Sequence, residues 1–394
     1  MDIETIERFQ NDLDDLNAFQ TFLNMDQIIR RIHCNKQLAR FCAPLRTKPK
    51  RRRRRFNPLI DLRENEFQYS YRFSKDSMKR IIEMIKDDLE IEQQQHNSTN
   101  DEGHMKMQKS QVPVEKQIMA AVRYWGRTEH PEVTAQIHGV TLKTLMKISK
   151  RVAEALSYNA SRYIRMPCLL AEKEKVAKGF YDLAHMPQVI GAVNHTQMKC
   201  KRNKIATTTE QPEPNIAEHM LHIQIVTDAS LKIRDLDCHL AKAAERKTPA
   251  DIFAQSRIKE RFEQNEFRGR LLLGDSVLKC SSYLYTPVLY AVTLSEQAYN
   301  SSLRLTHEPA RKCLKLLEKR FGILNDEFHG SHTTARHIVV ALVLLHNMAL
   351  EWKDVAIDIT SLKDAETQYY ETPINTEERS RAEFIKNHFS NFKN

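Results

Sequence analysis

Three features that would place a protein in a familiar class are missing from this sequence. Its seven cysteines are scattered and odd in number, with no CxxC pair among them. This pattern argues against a disulfide framework and a cysteine-based zinc site, and indicates reduced thiols in the cytosol or nucleus. No apolar run approaches the roughly 20 residues needed to cross a bilayer, so no membrane partner is expected. The chain opens on acidic residues, MDIETIE, which we do not expect to act as a secretory signal.

Positive charge is what the chain has in excess. Its 394 residues carry a formal net charge of +10, with a pI of about 9.1. A basic balance favours an anionic partner, and nucleic acid is the usual one, although a simple surplus of solubilising charge gives the same numbers. The length allows two or three domains, or one large domain with appendages.

Much of this charge lies in one block, 46–56, which contains Arg51, Arg52, Arg53, Arg54 and Arg55. Five consecutive arginines cannot enter a core, because each would need a counter-charge. Such blocks are typical of nuclear localisation signals and of phosphate-binding arms, so we predict a nuclear protein; an idle charged linker is the alternative. The preceding segment, 1–45, has apolar residues at helical spacing over 1–33. It predicts an amphipathic helical lead that packs on the body or binds a partner helix.

The next segments are predicted to be helical. In 57–91, Ser74 is expected to cap a helix. Residues 92–111 are polar and aperiodic and predict a linker.

Segment 112–165 predicts a helix-turn-helix-like domain: a helix over 115–125, a short one over 131–138, a turn at 139–140, and a third helix from Thr141 to about 156. On the third helix, Leu142, Leu145, Ile148 and Val152 are expected to face inward. The outward face would carry Lys143, Lys147, Lys150 and Arg151, which suits contact with phosphates. An ordinary helical bundle with a solvated lysine face is the alternative. Few of these side chains can read bases, so any DNA contact would have low sequence specificity.

Segment 166–355 predicts an α/β domain, followed by a C-terminal tail over 356–394. Strands are expected over 189–193, 219–228, 233–240 and 270–275, with helices over about 303–321 and 332–352. A mixed sheet with late helices belongs to the α/β class.

Five short motifs, in order, resemble the PIF/Harbinger transposases and the nucleases domesticated from them. They are YRFS at 71–74, VPVEK at 112–116, PQVIGAV at 187–193, LLGDS at 272–276 followed by TP, and the LHN-containing helix at 335–348. One such match would be weak, but five in the family's order, over about 57–352, are specific. In the last motif we expect His346 and Asn347 to have packing and capping roles.

The resemblance implies an RNase H-like catalytic-type domain preceded by the all-α helix-turn-helix-like domain. In this family two aspartates and a glutamate hold two divalent ions, which activate water and clamp the scissile phosphate. The transposases of this family work with a separate Myb-like or MADF-type DNA-binding protein, so such a partner is implied here.

Carried over residue by residue, the acidic set is broken. The first aspartate position is Asn194, the second is kept as Asp275, and the glutamate position is Arg311. Asn194 contributes no charge while Asp275 and Arg311 cancel, so the site has no net charge to attract Mg²⁺. Each unit-charge interaction at ~4 Å is worth about 4 kcal/mol at an effective dielectric near 20. We therefore expect no metal cofactor and no catalysis, with Arg311 paired to Asp275 in place of the metal.

A counter-interpretation keeps the enzyme. Glu308 lies one helical turn before Arg311. Asn194, Asp275 and Glu308 could form a poor one-metal site for Mg²⁺ or Mn²⁺. The sequence therefore predicts a domesticated, catalytically inactive nuclear protein that associates with DNA or chromatin or scaffolds a complex, with a divergent metal-dependent nuclease as the alternative.

Overall fold

The computed structural model describes residues 56–98, 112–201, 219–245, 247–354 and 378–390. The predicted amphipathic lead over 1–45 and all five residues of the arginine run lie outside these ranges. The same holds for 99–111 of the predicted linker.

The first part of the described chain is helical. Its elements are α1 Pro58–Asp61, α2 Glu64–Tyr71, α3 Lys75–Ser98, α4 Val114–Gly126, α5 Pro131–Ile137, α6 Leu142–Tyr158 and α7 Ala160–Tyr163. Ser74 precedes α3 and its Oγ accepts a hydrogen bond from the Ser77 amide at 3.2 Å, so the predicted cap is confirmed. The helix then runs on to Ser98, so the linker predicted from residue 92 begins later than expected.

The three helices predicted within 112–165 are present as α4, α5 and α6. Thr141 caps α6, where its side chain accepts from the Thr144 amide at 3.2 Å. Leu145, Ile148 and Val152 are buried as predicted, because the apolar face of α6 packs against α4 and α12, a helix described below. Leu142 was expected to face inward, but it is 39% exposed. Leu142 is the first residue of α6, and the part of the helix that packs against the core begins only at Leu145.

The second part is built on one mixed sheet, as predicted. Its strands are β1 Val189–Lys201, β2 His219–Thr227, β3 Ile233–Lys242, β4 Leu271–Leu273, β5 Leu284–Tyr285 and β6 Phe328–His329. The order is β3-β2-β1-β4-β5, with β6 pairing β1. Strands β1, β2 and β3 are antiparallel, whereas β4 runs parallel to both β1 and β5. Gly191 is required in β1, because an added Cβ would lie 2.4 Å from Val226 and 2.9 Å from Leu272.

Helices complete this α/β part: α8 Leu170–Ala184, α9 Pro249–Ala254, α10 Arg257–Glu263, α11 Leu294–Arg320, α12 His332–Glu351 and α13 Glu378–Phe389. The helices expected over 303–321 and 332–352 are thus confirmed, although α11 starts earlier, at a Thr293 cap. In the predicted tail, α13 packs on the sheet's β5 side. Its Arg381 donates to the carbonyls of Thr286 and Pro287 at 3.2 and 3.0 Å.

Helix α12 is the centre of the core. Its apolar side chains join one continuous cluster that includes Trp125 of α4, Leu145 of α6, and Ile223 and Ile233 of the sheet. Among the described helices it alone is long and apolar enough to cross a membrane, but 67% of its apolar window is buried inside the protein, as befits a core helix. The helical and α/β parts therefore share their hydrophobic core.

Candidate functional site

Asn194 lies in β1, and Asp275 lies two residues after the end of the neighbouring strand β4. Parallel pairing of β1 with β4 sets Ala192 beside Leu273, and each polar residue lies two positions further along its chain. The carboxyl ends of parallel strands meet at one edge of a sheet, where α/β proteins place their sites. The structure thus brings together the two positions that the sequence assigned to the first and second catalytic acids.

Helix α11 is fixed to this edge by a buried histidine that sequence reasoning missed. The Nε2 of His307 donates to the carbonyl oxygen of Val193 at 2.8 Å, one residue before Asn194. Burial is the main cause that lowers the pKa of His307 to about 4, so the ring is neutral at physiological pH. Arg311 follows one helical turn later on the same face. The sequence could have indicated this role, because His307 lies four residues before Arg311, the position assigned to the third catalytic acid, and so shares its helix face.

Arg311 is held directly by Glu308. Its Nη2 lies 3.0 Å from Glu308 Oε2 and its Nε donates to the same oxygen at 3.1 Å. Lys312 approaches the other carboxylate oxygen at 3.7 Å. Nη2 of Arg311 also donates to the Arg304 carbonyl at 3.1 Å, which completes a local clamp on α11.

The predicted direct pairing of Arg311 with Asp275 stays a prediction. The positive charge of Arg311 lowers the pKa of the Asp275 carboxyl. Glu308, three residues before Arg311 on the same helix, contacts the guanidinium directly.

Burial nevertheless dominates Asp275. Desolvation raises its pKa above the ordinary value, and the Val277 amide, which donates to Oδ1 at 3.3 Å, lowers it only in part, as does Arg311.

The Asn194 side chain is turned back on its own backbone. Its Oδ1 accepts from the His195 amide at 2.8 Å. His195 in turn contacts Gln224 through Nε2, 3.1 Å from the amide oxygen, and burial lowers its pKa to about 4. The one oxygen of Asn194 that could bind a metal already has a hydrogen-bond donor.

These residues do not fit the paired cations that the resemblance implies. One carboxylate is desolvated, one amide oxygen is engaged, and Glu308 is shared between two cations. Within the part of the chain that the structure describes, no cluster of three or more His, Cys, Asp or Glu residues could hold a metal ion. The two acidic and two basic side chains around this edge, Asp275, Glu308, Arg311 and Lys312, sum to zero formal charge.

The predicted DNA-contact face of α6 divides into two parts. Lys143, Lys147 and Lys150 are exposed, and Lys150 lies 3.8 Å from Glu154 in a solvated pair. Arg151, however, was placed on this face and lies elsewhere. Its guanidinium donates to the Leu89 carbonyl of α3 and to Gln117 Oε1 at 3.5 Å, so it ties three helices together. Arg151 lies one turn after Lys147 on nearly the same side of α6, but α3 and α4 pack beside this turn and supply acceptors for its guanidinium, which the sequence could not reveal.

The LHN motif has the predicted packing role. Asn347 of α12 accepts from the Ile233 amide at 2.8 Å and donates to the Ile233 carbonyl at 2.8 Å, so it pairs with β3 as a strand would. His346 contacts the Leu231 carbonyl at 3.0 Å. Both side chains are fully buried.

Comparison with known proteins agrees with this architecture. Residues 213–347 match the family described as DDE superfamily endonuclease. The chain is similar to the rat "Putative nuclease HARBI1", at 26% identity over 288 residues, which covers 71% of this chain and 81% of the relative. The human protein of the same name is 24% identical and the Xenopus laevis one 27% identical, each with the same shares covered. No solved structure matches the chain. The DDE superfamily domain carries an RNase H-like fold, which the observed mixed sheet suits.

Proposed function

Because this chain belongs to the Harbinger transposase-derived family, within the DDE superfamily, we propose that it is a catalytically inactive descendant of such a nuclease that binds DNA in the nucleus. Its role would be that of a DNA- or chromatin-associated factor, or of a scaffold in a protein complex. The observation that carries the proposal is the Arg311–Glu308 ion pair at 3.0 Å where the family would have a metal-binding glutamate.

Electrostatics supports the loss of catalysis. Two divalent ions need several anionic oxygens around them, because hard cations are held by carboxylates and give up water reluctantly. Here the third position is a guanidinium, the first has no charge, and the only acid near Arg311 on the helix is already neutralised by it. Without the ions, no group at this edge can both activate water and stabilise the leaving oxygen.

DNA binding would use the exposed lysines of α6. The proposal of a helix-turn-helix-like unit is supported by the tight turn at Gly139, with φ of 58°, that joins helices α5 and α6. Lys143 and Lys147 project from the second helix of that pair, and phosphate contact would release counter-ions with little dependence on sequence. The arginine block would add to nuclear import and to DNA contact. A Myb-like or MADF-type protein would direct the complex to its sites.

A second function is favoured by the names of the relatives, which are called nucleases. In that alternative, Asn194, Asp275 and Glu308 would bind one Mg²⁺ or Mn²⁺ ion. Arg311 would first have to release Glu308.

The two functions are separated by restoring the lost acids. We expect the purified wild type to leave supercoiled plasmid intact in Mn²⁺, and Mn²⁺ not to raise its melting temperature. The variant Asn194→Asp/Arg311→Glu should gain a Mn²⁺-dependent rise in melting temperature. An ion at about 100 times its dissociation constant stabilises by about 2.7 kcal/mol.

Asn194→Asp/Arg311→Glu/Asp275→Asn is the matched control, and it should lose the gain because one carboxylate is removed again. Circular dichroism checks that each variant folds. Nicking of plasmid by the wild type in Mn²⁺, abolished by Asp275→Ala, would overturn the proposal and establish the alternative.

A further inference from the structure

A second concave site lies at the opposite end of the same strands. A cavity of about 790 Å³ is lined by residues of α9 and α10, by the loop over 265–270, and by the segment over 278–285. Gln188 and Arg270, which immediately precede β1 and β4, are part of its wall. Leu278, another residue of the wall, donates its amide to the carbonyl oxygen of Asp275 at 3.2 Å, so the cavity and the candidate site share the turn that follows β4.

Positive charge exceeds negative charge in the wall of the cavity. Lys259 is paired with Glu263 at 2.7 Å, and Arg261, just outside, is paired with Glu266. Arg268 and Lys279 are exposed, and Lys279 interacts electrostatically with Asp251. The wall therefore carries four basic side chains, Lys259, Arg268, Arg270 and Lys279, and one acidic side chain, Glu263.

The floor of the cavity is aromatic. Phe262 stacks with Tyr283, ring centroids 5.2 Å apart at an interplanar angle of 28°, and also contacts Phe267, with ring centroids 4.7 Å apart. Phe262 and Phe267 are buried, while Tyr283 is partly exposed. Its hydroxyl donates to Glu263 Oε1 at 3.4 Å, which fixes the ring orientation.

The loop that carries Arg268 and Arg270 is ordered by its own turn hydrogen bonds. Turn hydrogen bonds join the Arg268 amide to the Asn265 carbonyl at 3.3 Å and the Arg270 amide to Phe267 at 2.9 Å. Gly269 has φ of +72° and no heavy atom within 4 Å of where a Cβ would stand, so this turn needs glycine for its conformation and faces open space.

We propose that this cavity binds one nucleotide of single-stranded DNA. The base would extend the Tyr283–Phe262 stack, and the flanking phosphates would be bound by Arg268, Arg270 and Lys279. Ligand clefts of this size accept a small organic group, and aromatic rings beside basic side chains are how proteins hold unpaired nucleotides. A continuous duplex has its bases stacked inside and offers only phosphates, so it could use the rim and not the aromatic floor.

The test uses the full-length protein and a dye-labelled thymidine oligonucleotide of about 12 nucleotides, a length within the range of known single-strand sites. Fluorescence anisotropy gives affinity, and the same oligonucleotide containing iodouracil is cross-linked by ultraviolet light and mapped by mass spectrometry. We expect the cross-link on Tyr283. Tyr283→Leu should weaken binding about tenfold, whereas Tyr283→Phe, which keeps the ring, should bind nearly as wild type.

Two charge-matched variants distinguish binding in the cavity from non-specific electrostatic attraction of DNA to the basic protein. Arg268→Glu/Lys279→Glu and Lys143→Glu/Lys147→Glu change the net charge equally, and all four positions are exposed. The first should weaken single-strand binding at least tenfold and abolish the cross-link; the second should weaken duplex binding and keep the cross-link.

Equal losses in the two variants, a cross-link outside 259–285, or wild-type affinity in Tyr283→Leu would overturn the assignment. Failure of the protein to bind duplex DNA would contradict only the proposed role of the α6 lysines and would not affect the assignment of the cavity.

Discussion

At the scale of single residues, the charge of Arg311 acts on two acids of the candidate site. Glu308 contacts the guanidinium at 3.0 and 3.1 Å, and the same positive charge lowers the pKa of Asp275. Burial is the larger cause and keeps the pKa of Asp275 above its ordinary value.

Removing this attraction should make Asp275 still harder to ionise. In Arg311→Ala we expect the pKa of Asp275 to rise further, because a cause that lowers it is gone while burial remains. The carboxyl carbon shift of Asp275, followed by NMR from pH 3 to about pH 8, measures this change. Lys312→Ala is the control, since Lys312 contacts Glu308 at 3.7 Å and is not among the causes of the Asp275 shift. An unchanged pKa in Arg311→Ala would mean that the two groups do not interact.

Sequence alone could predict the positions of this site but not its contacts. Motif order predicts that Asn194, Asp275 and Arg311 belong to one site, and the pairing of β1 with β4 sets Ala192 beside Leu273, two residues before each of the first two. The Arg311–Glu308 pair, the His307–Val193 bond and the inward turn of Arg151 depend on side-chain direction and on neighbours distant in the chain. A pattern of residue types does not contain that information.

At the scale of elements, β1 shows why strand length was underestimated. Its first five residues form a buried apolar run, which predicts a strand, whereas 194–201 is mostly polar. That second half belongs to the sheet because β2 pairs with it residue by residue, from Asn194 opposite Ile225 to Cys200 opposite His219. Pairing of this kind depends on a partner 19 to 31 residues away in the chain, so the local apolar pattern could not reveal it.

Asn347 joins two elements, and its loss should be costly. Asn347→Ala would leave two buried groups, the amide and the carbonyl of Ile233, without their partner, and would also remove a part-buried bond to the carbonyl of Tyr163. Each unsatisfied buried group costs about 1–3 kcal/mol, so we expect a loss of roughly 2–5 kcal/mol in the free energy of unfolding. Urea denaturation measures it, with the exposed Asn325→Ala as a control expected to change little.

At the scale of the whole molecule, buried neutral histidines should make the fold acid-sensitive. Burial lowers the pKa of His138 to about 3 and those of His195, His307 and His346 to about 4. Between about pH 4 and 6.5 the unfolded chain therefore binds more protons than the folded one, so stability rises with pH in this window and is lost as pH falls through it. Asp235, whose pKa burial raises to about 6, acts in the opposite sense and offsets a part.

Urea midpoints at pH 7 and pH 5 test this expectation. We expect the free energy of unfolding to drop by several kcal/mol at pH 5, and His346→Gln, although less stable at pH 7, to show a smaller drop. His130→Gln, at an exposed position, should keep the full drop. The same drop in His346→Gln as in wild type would mean that this histidine is not a source of the acid sensitivity.

The shared core has a mechanical consequence. Residues of α6 and β1 belong to one apolar cluster around α12, so we expect these elements to move as one rigid body. The distance between the lysine face of α6 and the sheet is then fixed. DNA held on α6 could send an unpaired tail to the Tyr283 cavity only once the tail is long enough to span that gap. Affinity for tailed duplexes should then increase in a step at one tail length and fall slowly beyond it, as for any two tethered contacts on a rigid body.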